Sequence, residues 1–122
     1  MVNVPNEDQI TITDYCGRVS GKHIDKFAKT KLTPAPCKEI KAPMIKECPV
    51  NLECKVTQII PLGAHDLFLG EIVAVNIDED IRLNGGMDIA KMKPLAYCSG
   101  SSDYWGLKGP LGKFGIGKDA FD

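Results

Sequence analysis

Pro61-Leu62-Gly63-Ala64-His65-Asp66-Leu67-Phe68-Leu69-Gly70-Glu71-Ile72-Val73-Ala74-Val75-Asn76-Ile77 opens on a turn and runs straight into the longest apolar stretch of the chain. Between Leu67 and Ile77 only Glu71 and Asn76 are strongly polar. The aliphatic residues are mostly strand formers, because branched side chains suit a pleated surface. A run this apolar predicts a strand covered on both faces, deep in a sheet. His65, one of two histidines, is expected at the mouth of that strand.

Upstream, Cys48, Val50, Leu52, Cys54 and Val56 alternate with Asn51, Glu53, Lys55 and Thr57. This period of two predicts a half-buried strand over 48–60 with its apolar side inward. Pro61 to Ala64 turns it into the apolar run, giving an antiparallel hairpin. Downstream, Asp78-Glu79-Asp80 ends the strand in water, and Asn84-Gly85-Gly86 marks another turn. Met87 to Lys93 forms a helical turn or two before Pro94, with Ile89 and Met92 inward. Leu95 to Cys98 reads as a short strand.

Met1 to Val4 also reads as a piece of strand. Asn6 as N-cap, Gln9 at the capping-box position and the acids Glu7 and Asp8 predict a helix reaching Tyr15 or Cys16. Gly17 is its expected left-handed stop. Ser20 is expected to cap a second short helix that buries Ile24, Phe27 and Ala28. Thr33-Pro34-Ala35-Pro36 and Pro43 break helices and predict loop. From Gly100 to Gly117, six glycines are interleaved with Tyr104, Trp105, Leu107, Leu111 and Phe114. Such a tail is expected to lay its aromatics against the domain or a partner chain.

The 122 residues suffice for one domain spanning the whole chain, built around a single core. With 43% hydrophobic and 25% charged residues and a net charge of −1, no nucleic-acid or membrane partner is expected. Neither a signal peptide nor a membrane span is expected, and a cytoplasmic location follows by default. Seven lysines between Lys22 and Lys46 outnumber the three acids up to Glu47. They predict a solvated face or an anion-docking surface for a phosphorylated ligand.

Cys16, Cys37, Cys48, Cys54 and Cys98 form an odd set without a Cys-x-x-Cys pair. Neither a disulfide framework nor a zinc site is expected from that spacing. Cys48 and Cys54 share the register of Val50 and Leu52 and read as small core hydrophobes. There is no Gly-x-Ser-x-Gly elbow, Walker loop or Gly-x-Gly-x-x-Gly after a strand. His65 remains the residue of chemical interest, either a solvated turn residue or a group facing a ligand.

Gly63-Ala64-His65-Asp66-Leu67-Phe68-Leu69-Gly70-Glu71-Ile72-Val73 resembles a segment of the flavin reductase-like, FMN-binding split-barrel family. Further stretches resemble its flavoredoxin branch in the same order. They are Val2-Asn3-Val4-Pro5, Asp14-Tyr15-Cys16-Gly17, Val19-Ser20-Gly21 with Asp25-Lys26-Phe27, and Pro94-Leu95-Ala96-Tyr97. Tyr104-Trp105-Gly106-Leu107 and Leu111-Gly112-Lys113-Phe114-Gly115 resemble its closing segment.

The resemblance implies a mainly β split barrel with short helices, a homodimer, FMN near the subunit interface, and NAD(P)H or a redox partner protein as electron source or acceptor. It places Asn3 beside the flavin and Ser20, Gly21 and Lys26 in the flavin-proximal region, with the lysine-rich region facing phosphates. His65 is placed on the nicotinamide or flavin side of the pocket as the catalytic residue, and Tyr104 and Trp105 help close the pocket. Relative to the family, the chain reads as N-terminally shortened: the first barrel strands and the loop holding the FMN phosphate have no counterpart before Val2. Two other readings follow. One is a non-enzymatic barrel remnant that oligomerises without flavin; the other is a thiol redox protein using Cys16 or Cys37.

Overall fold

β1 (Val2–Val4) leads through a 3-10 turn (Glu7–Gln9) into α1 (Ile10–Arg18), and α2 (Lys26–Thr30) follows. β2 (Pro34–Ala35) and β3 (Met44–Ile45) form a short antiparallel ladder. β4 (Val50–Pro61) and β5 (Asp66–Ile77) then form the expected long hairpin. A second 3-10 turn (Glu79–Ile81), the small hairpin of β6 (Arg82–Leu83) and β7 (Gly86–Met87), and α3 (Ile89–Met92) come next. β8 (Leu95–Cys98) pairs antiparallel with β9 (Asp103–Gly106). This computed structural model describes residues 1–116, so Gly117 at the end of the glycine-rich tail lies outside them. Among the described residues no helix is long and apolar enough to cross a membrane.

The hairpin turn closes through Leu62 N–H, which donates to His65 O at 2.9 Å, with Gly63 at φ +87°. That dihedral lies where a side chain would clash, which explains the glycine. Two register shifts, between Glu53 and Cys54 and between Val56 and Gln58, interrupt the β4–β5 ladder. Such bulges bend and twist a ribbon. β1 pairs with β4 only from Val50 to Leu52, giving the sheet order β1-β4-β5.

The core lies at one end of this sheet. Val50, Ile81 and Met92 are buried together, with Val4, Leu52, Ile77 and Met87 packed around them. Asp88 fixes α3 by accepting from Ala90 N–H and Lys91 N–H through Oδ1 at 3.0 and 3.2 Å. Met92 is thereby turned into the core, whereas Ile89, also expected inward, is half exposed.

Burial of the hairpin departs from the expectation in two ways. β5 is an edge strand with Phe68, Ile72 and Val75 at 58%, 55% and 50% exposure, not a strand covered on both faces. The core elements reach it only around Ile77. Conversely, the polar side of β4 is not outward at its start: Asn51 is buried and Glu53 is fully buried. The loop 38–40 covers it, because Glu53 accepts main-chain hydrogen bonds from Lys38, Glu39 and Ile40 at 3.2, 2.7 and 3.2 Å. Asn76 Nδ2 donates a fourth at 3.0 Å.

The helix ends also differ. Gly17 lies inside α1, which runs to Arg18 and stops at the extended Val19. Asp25, not Ser20, caps α2, accepting from Ala28 N–H at 3.0 Å. Ser20 Oγ instead accepts from Lys22 N–H at 3.2 Å within a turn. Pro34 and Ala35, expected as loop, pair with β3. In the tail, Trp105, Leu107, Leu111 and Phe114 are 61–110% exposed and are not laid against the described residues.

Candidate functional site

α1 organises the residues singled out in the sequence. Ile12 and Cys16 are four apart and share a face. With Thr13, they line a cavity of about 210 Å³ together with Asn3, Pro5, Gln9, Leu32, Ile45 and Cys48. Gln9 braces its rim: its Oε1 accepts from Asn6 N–H at 3.0 Å, and its Nε2 donates to Glu47 O at 3.0 Å.

Asn3 sits at the wall of this cavity because β1 pairs it with Asn51, which pairs in turn with Asn76. Its Oδ1 accepts from Ile45 N–H at 3.0 Å, which leaves its amide nitrogen free to donate. Lys26 reaches α1 from the other side, donating from Nζ to Cys16 O at 2.6 Å. Gly21 lies against the stem of Lys26, where an added Cβ would stand 3.9 Å from Cε. Lys26 is thus tied to the cavity residue Cys16, with Gly21 against its stem, whereas Asn3 alone of the three lines the cavity. Ser20 is in the adjoining exposed turn.

Tyr104 joins α1 at a different point. Its hydroxyl donates to Asp14 Oδ1 at 3.2 Å, and its ring lies 5.0 Å from that of Tyr97. Desolvation, then the hydrogen bond to the Asp14 carboxylate, pushes its hydroxyl above the usual phenol range, so it remains a proton donor. Trp105 is mostly exposed.

His65 is not brought to this cluster within the chain. It is exposed in the turn at the far end of the hairpin. Ten residues of β4 separate Asn51, beside Asn3, from Pro61, or about 30 Å along the strand at the usual rise.

The cavity's chemistry is mainly apolar, with a few polar groups at its edge. Cys48 contributes a buried thiol whose desolvation raises its pKa, so it behaves as a small hydrophobe. About 150 Å³ of dry apolar space holds a benzene ring. The cavity therefore fits one end of a flat aromatic ring system, with Asn3 as a donor at its margin. Neither lysine nor arginine is among the residues lining the cavity, and Lys26 beside it is already engaged by Cys16 O.

Residues 1–106 match the model of the flavin reductase like domain family. The chain belongs to this family. Its fold is the mainly β split-barrel type of that group. The flavoredoxin of Desulfovibrio vulgaris (Miyazaki F) superimposes with a TM-score of 0.87 at 34% identity, over 94% of this chain and 62% of that one. Flavoredoxin from Methanosarcina acetivorans gives 0.86 at 36% identity, over 97% of this chain and 63% of that one. An Archaeoglobus fulgidus protein is 40% identical over 75 residues, which cover 62% of this chain and 42% of the relative. The chain therefore spans less than two thirds of the proteins it resembles.

Asp14 and Gln9 were not singled out as site residues in the sequence, and Cys16 figured there only as a redox thiol. Asp14 and Cys16 stood inside a family-like element, but their partners Tyr104 and Lys26 are tertiary neighbours that no local pattern specifies. The Asn3-Asn51-Asn76 row depends on strand register, which becomes visible only once the strands pair.

Proposed function

We propose that this chain is an FMN-binding, flavoredoxin-like protein of electron transfer or NAD(P)H-dependent flavin reduction. The observation that carries this reading is the mainly apolar cavity on α1 in a family member, walled by Asn3 and Cys16, with Lys26 bonded to the Cys16 carbonyl. A bound flavin would supply the redox chemistry, accepting hydride from a nicotinamide and releasing electrons to an acceptor. The apolar wall of Ile12, Leu32 and Ile45 would exclude water from one end of the ring. Asn3 would donate to a ring carbonyl or nitrogen, and Lys26, held by the Cys16 carbonyl, would stand with Ser20 and Gly21 at the flavin-proximal edge. His65 would face the nicotinamide side, and Tyr104 and Trp105 would close the pocket.

Titrating FMN with the purified chain tests this reading by the fall in flavin fluorescence. Saturable quenching is expected, weakened about tenfold in Asn3→Ala, equivalent to about 1.4 kcal/mol. Absence of quenching up to about 100 µM chain would instead favour the oligomerising remnant without flavin.

We further propose a homodimer. Its support is the groove of Val2, Leu52, Cys54, Val56, Phe68 and Ile72, which leaves large apolar side chains in water. Beyond Leu52, moreover, β4 pairs on one edge only among the described residues, and open edges invite another strand. In a homodimer, a second copy would allow His65 to approach a flavin that its own chain holds at a distance. Phe68→Asp is expected to weaken self-association at least about 100-fold, because a carboxylate would be buried without a partner. Light scattering across a dilution series reads this directly; an unchanged dimer would place the interface elsewhere.

A further inference from the structure

Charge is divided unevenly along the chain. Residues 22–46 carry seven lysines against Asp25 and Glu39, a surplus of five positive charges, so the remaining residues carry six negative charges for the total of −1. Lys22, Lys29, Lys31, Lys38, Lys41 and Lys46 are all exposed, and only Lys26 is partly covered. The two ion pairs among the described residues, Arg82–Glu79 and Lys93–Asp8, involve none of these seven. Two of the three nearby acids are engaged elsewhere: Asp25 caps α2, and Glu47 accepts from Thr33 N–H at 3.0 and 3.1 Å.

We infer that segment 22–46 is a docking surface for an acidic protein that exchanges electrons with the chain. The acceptor role rests on the flavin reading; the docking does not. Three features select this partner. The segment contains no arginine, and lysine is a mobile point charge, whereas tight phosphate sites favour planar, bidentate guanidinium donors. The six exposed lysines are scattered over α2 and the turns and loops around it and around β2 and β3, which suits a diffuse and short-lived encounter with a carboxylate-rich surface. The acidic remainder repels a long polyanion such as nucleic acid while orienting a compact acidic partner toward the basic segment. That segment also contains Gly21's neighbour Lys26, so a docked partner arrives beside the α1 cavity.

A labelled polyglutamate of about 20 residues is a suitable probe, followed by fluorescence anisotropy at about 20 mM salt with the flavin-free chain. Binding is expected, weakening at least about tenfold by 200 mM salt. Lys41→Glu with Lys46→Glu is expected to weaken it about tenfold, and Lys55→Glu with Lys91→Glu less than about twofold. The two double variants have the same net charge, so the difference reads location alone. Equal losses in both would overturn the proposal. So would tighter binding of labelled duplex DNA, or displacement of the probe by one equivalent of pyrophosphate, which would mark a phosphate site. Failure of the flavin reading is detected separately, in the FMN titration.

Discussion

Glu53→Ala is expected to destabilise the chain severely, lowering the melting temperature on the order of 10 °C. The Glu53 carboxylate is fully buried and accepts four hydrogen bonds, from Asn76 Nδ2 and the main-chain amides of Lys38, Glu39 and Ile40. Alanine would leave all four donors without their acceptor beneath the loop, and stranded buried donors cost more than an average hydrogen bond contributes. Glu53→Gln keeps the volume but turns an NH2 group toward amides, so it should restore only part of the loss. The pH dependence has a definite sign. The hydrogen bond from Asn76, then those from the backbone, hold the carboxyl below its ordinary value near 4.5. The folded chain therefore binds the proton less readily than the unfolded chain, so the contribution of Glu53 is complete above about pH 4.5 and is lost as pH falls through the lower folded value. Thermal melts from pH 7 to 3 should show this acid-side loss in the wild type and its absence in Glu53→Gln. An acid profile identical in both would remove Glu53 as its source.

Met92→Ala is expected to cost about 3 kcal/mol, read as a lower urea midpoint at unchanged slope. Only Val50 and Ile81 share its burial in the core cluster. A cavity there cannot be filled by rearrangement of a large surrounding core. A chain of this length is expected to have about 6–18 kcal/mol of stability, so one methionine carries a sizeable part. Ile89→Ala, three residues earlier on the same short helix, should cost less than about 1 kcal/mol because Ile89 is half exposed. Equal losses would mean that α3 packs by its other face.

The same pair shows what the sequence can and cannot specify. Apolar spacing on α3 marked both Ile89 and Met92, but the Asp88 cap sets the helix rotation, and only Met92 meets Val50. The hairpin was legible because its period of two and Gly63 are local signals. Its burial was not, because exposure depends on what lies over each face. Loop 38–40 conceals the polar Glu53, while nothing described conceals Phe68. For the candidate site, Asn3, Gly21 and Lys26 were legible through ordered family-like segments. The contact of Lys26 with α1 was not, since it runs through the Cys16 carbonyl, a group every residue has. His65 was the most conspicuous residue in the sequence, and the structure places it at the hairpin tip, away from the other candidates.

α1 is nine residues long and holds Asp14 and Cys16 two positions apart. One is bonded to Tyr104, the other to Lys26. α1 therefore touches both the cavity, through Cys16, and the β8–β9 ladder, through Asp14. The only tryptophan in the chain stands next to Tyr104. Its fluorescence is therefore a natural optical reporter placed at the β8–β9 end of that contact.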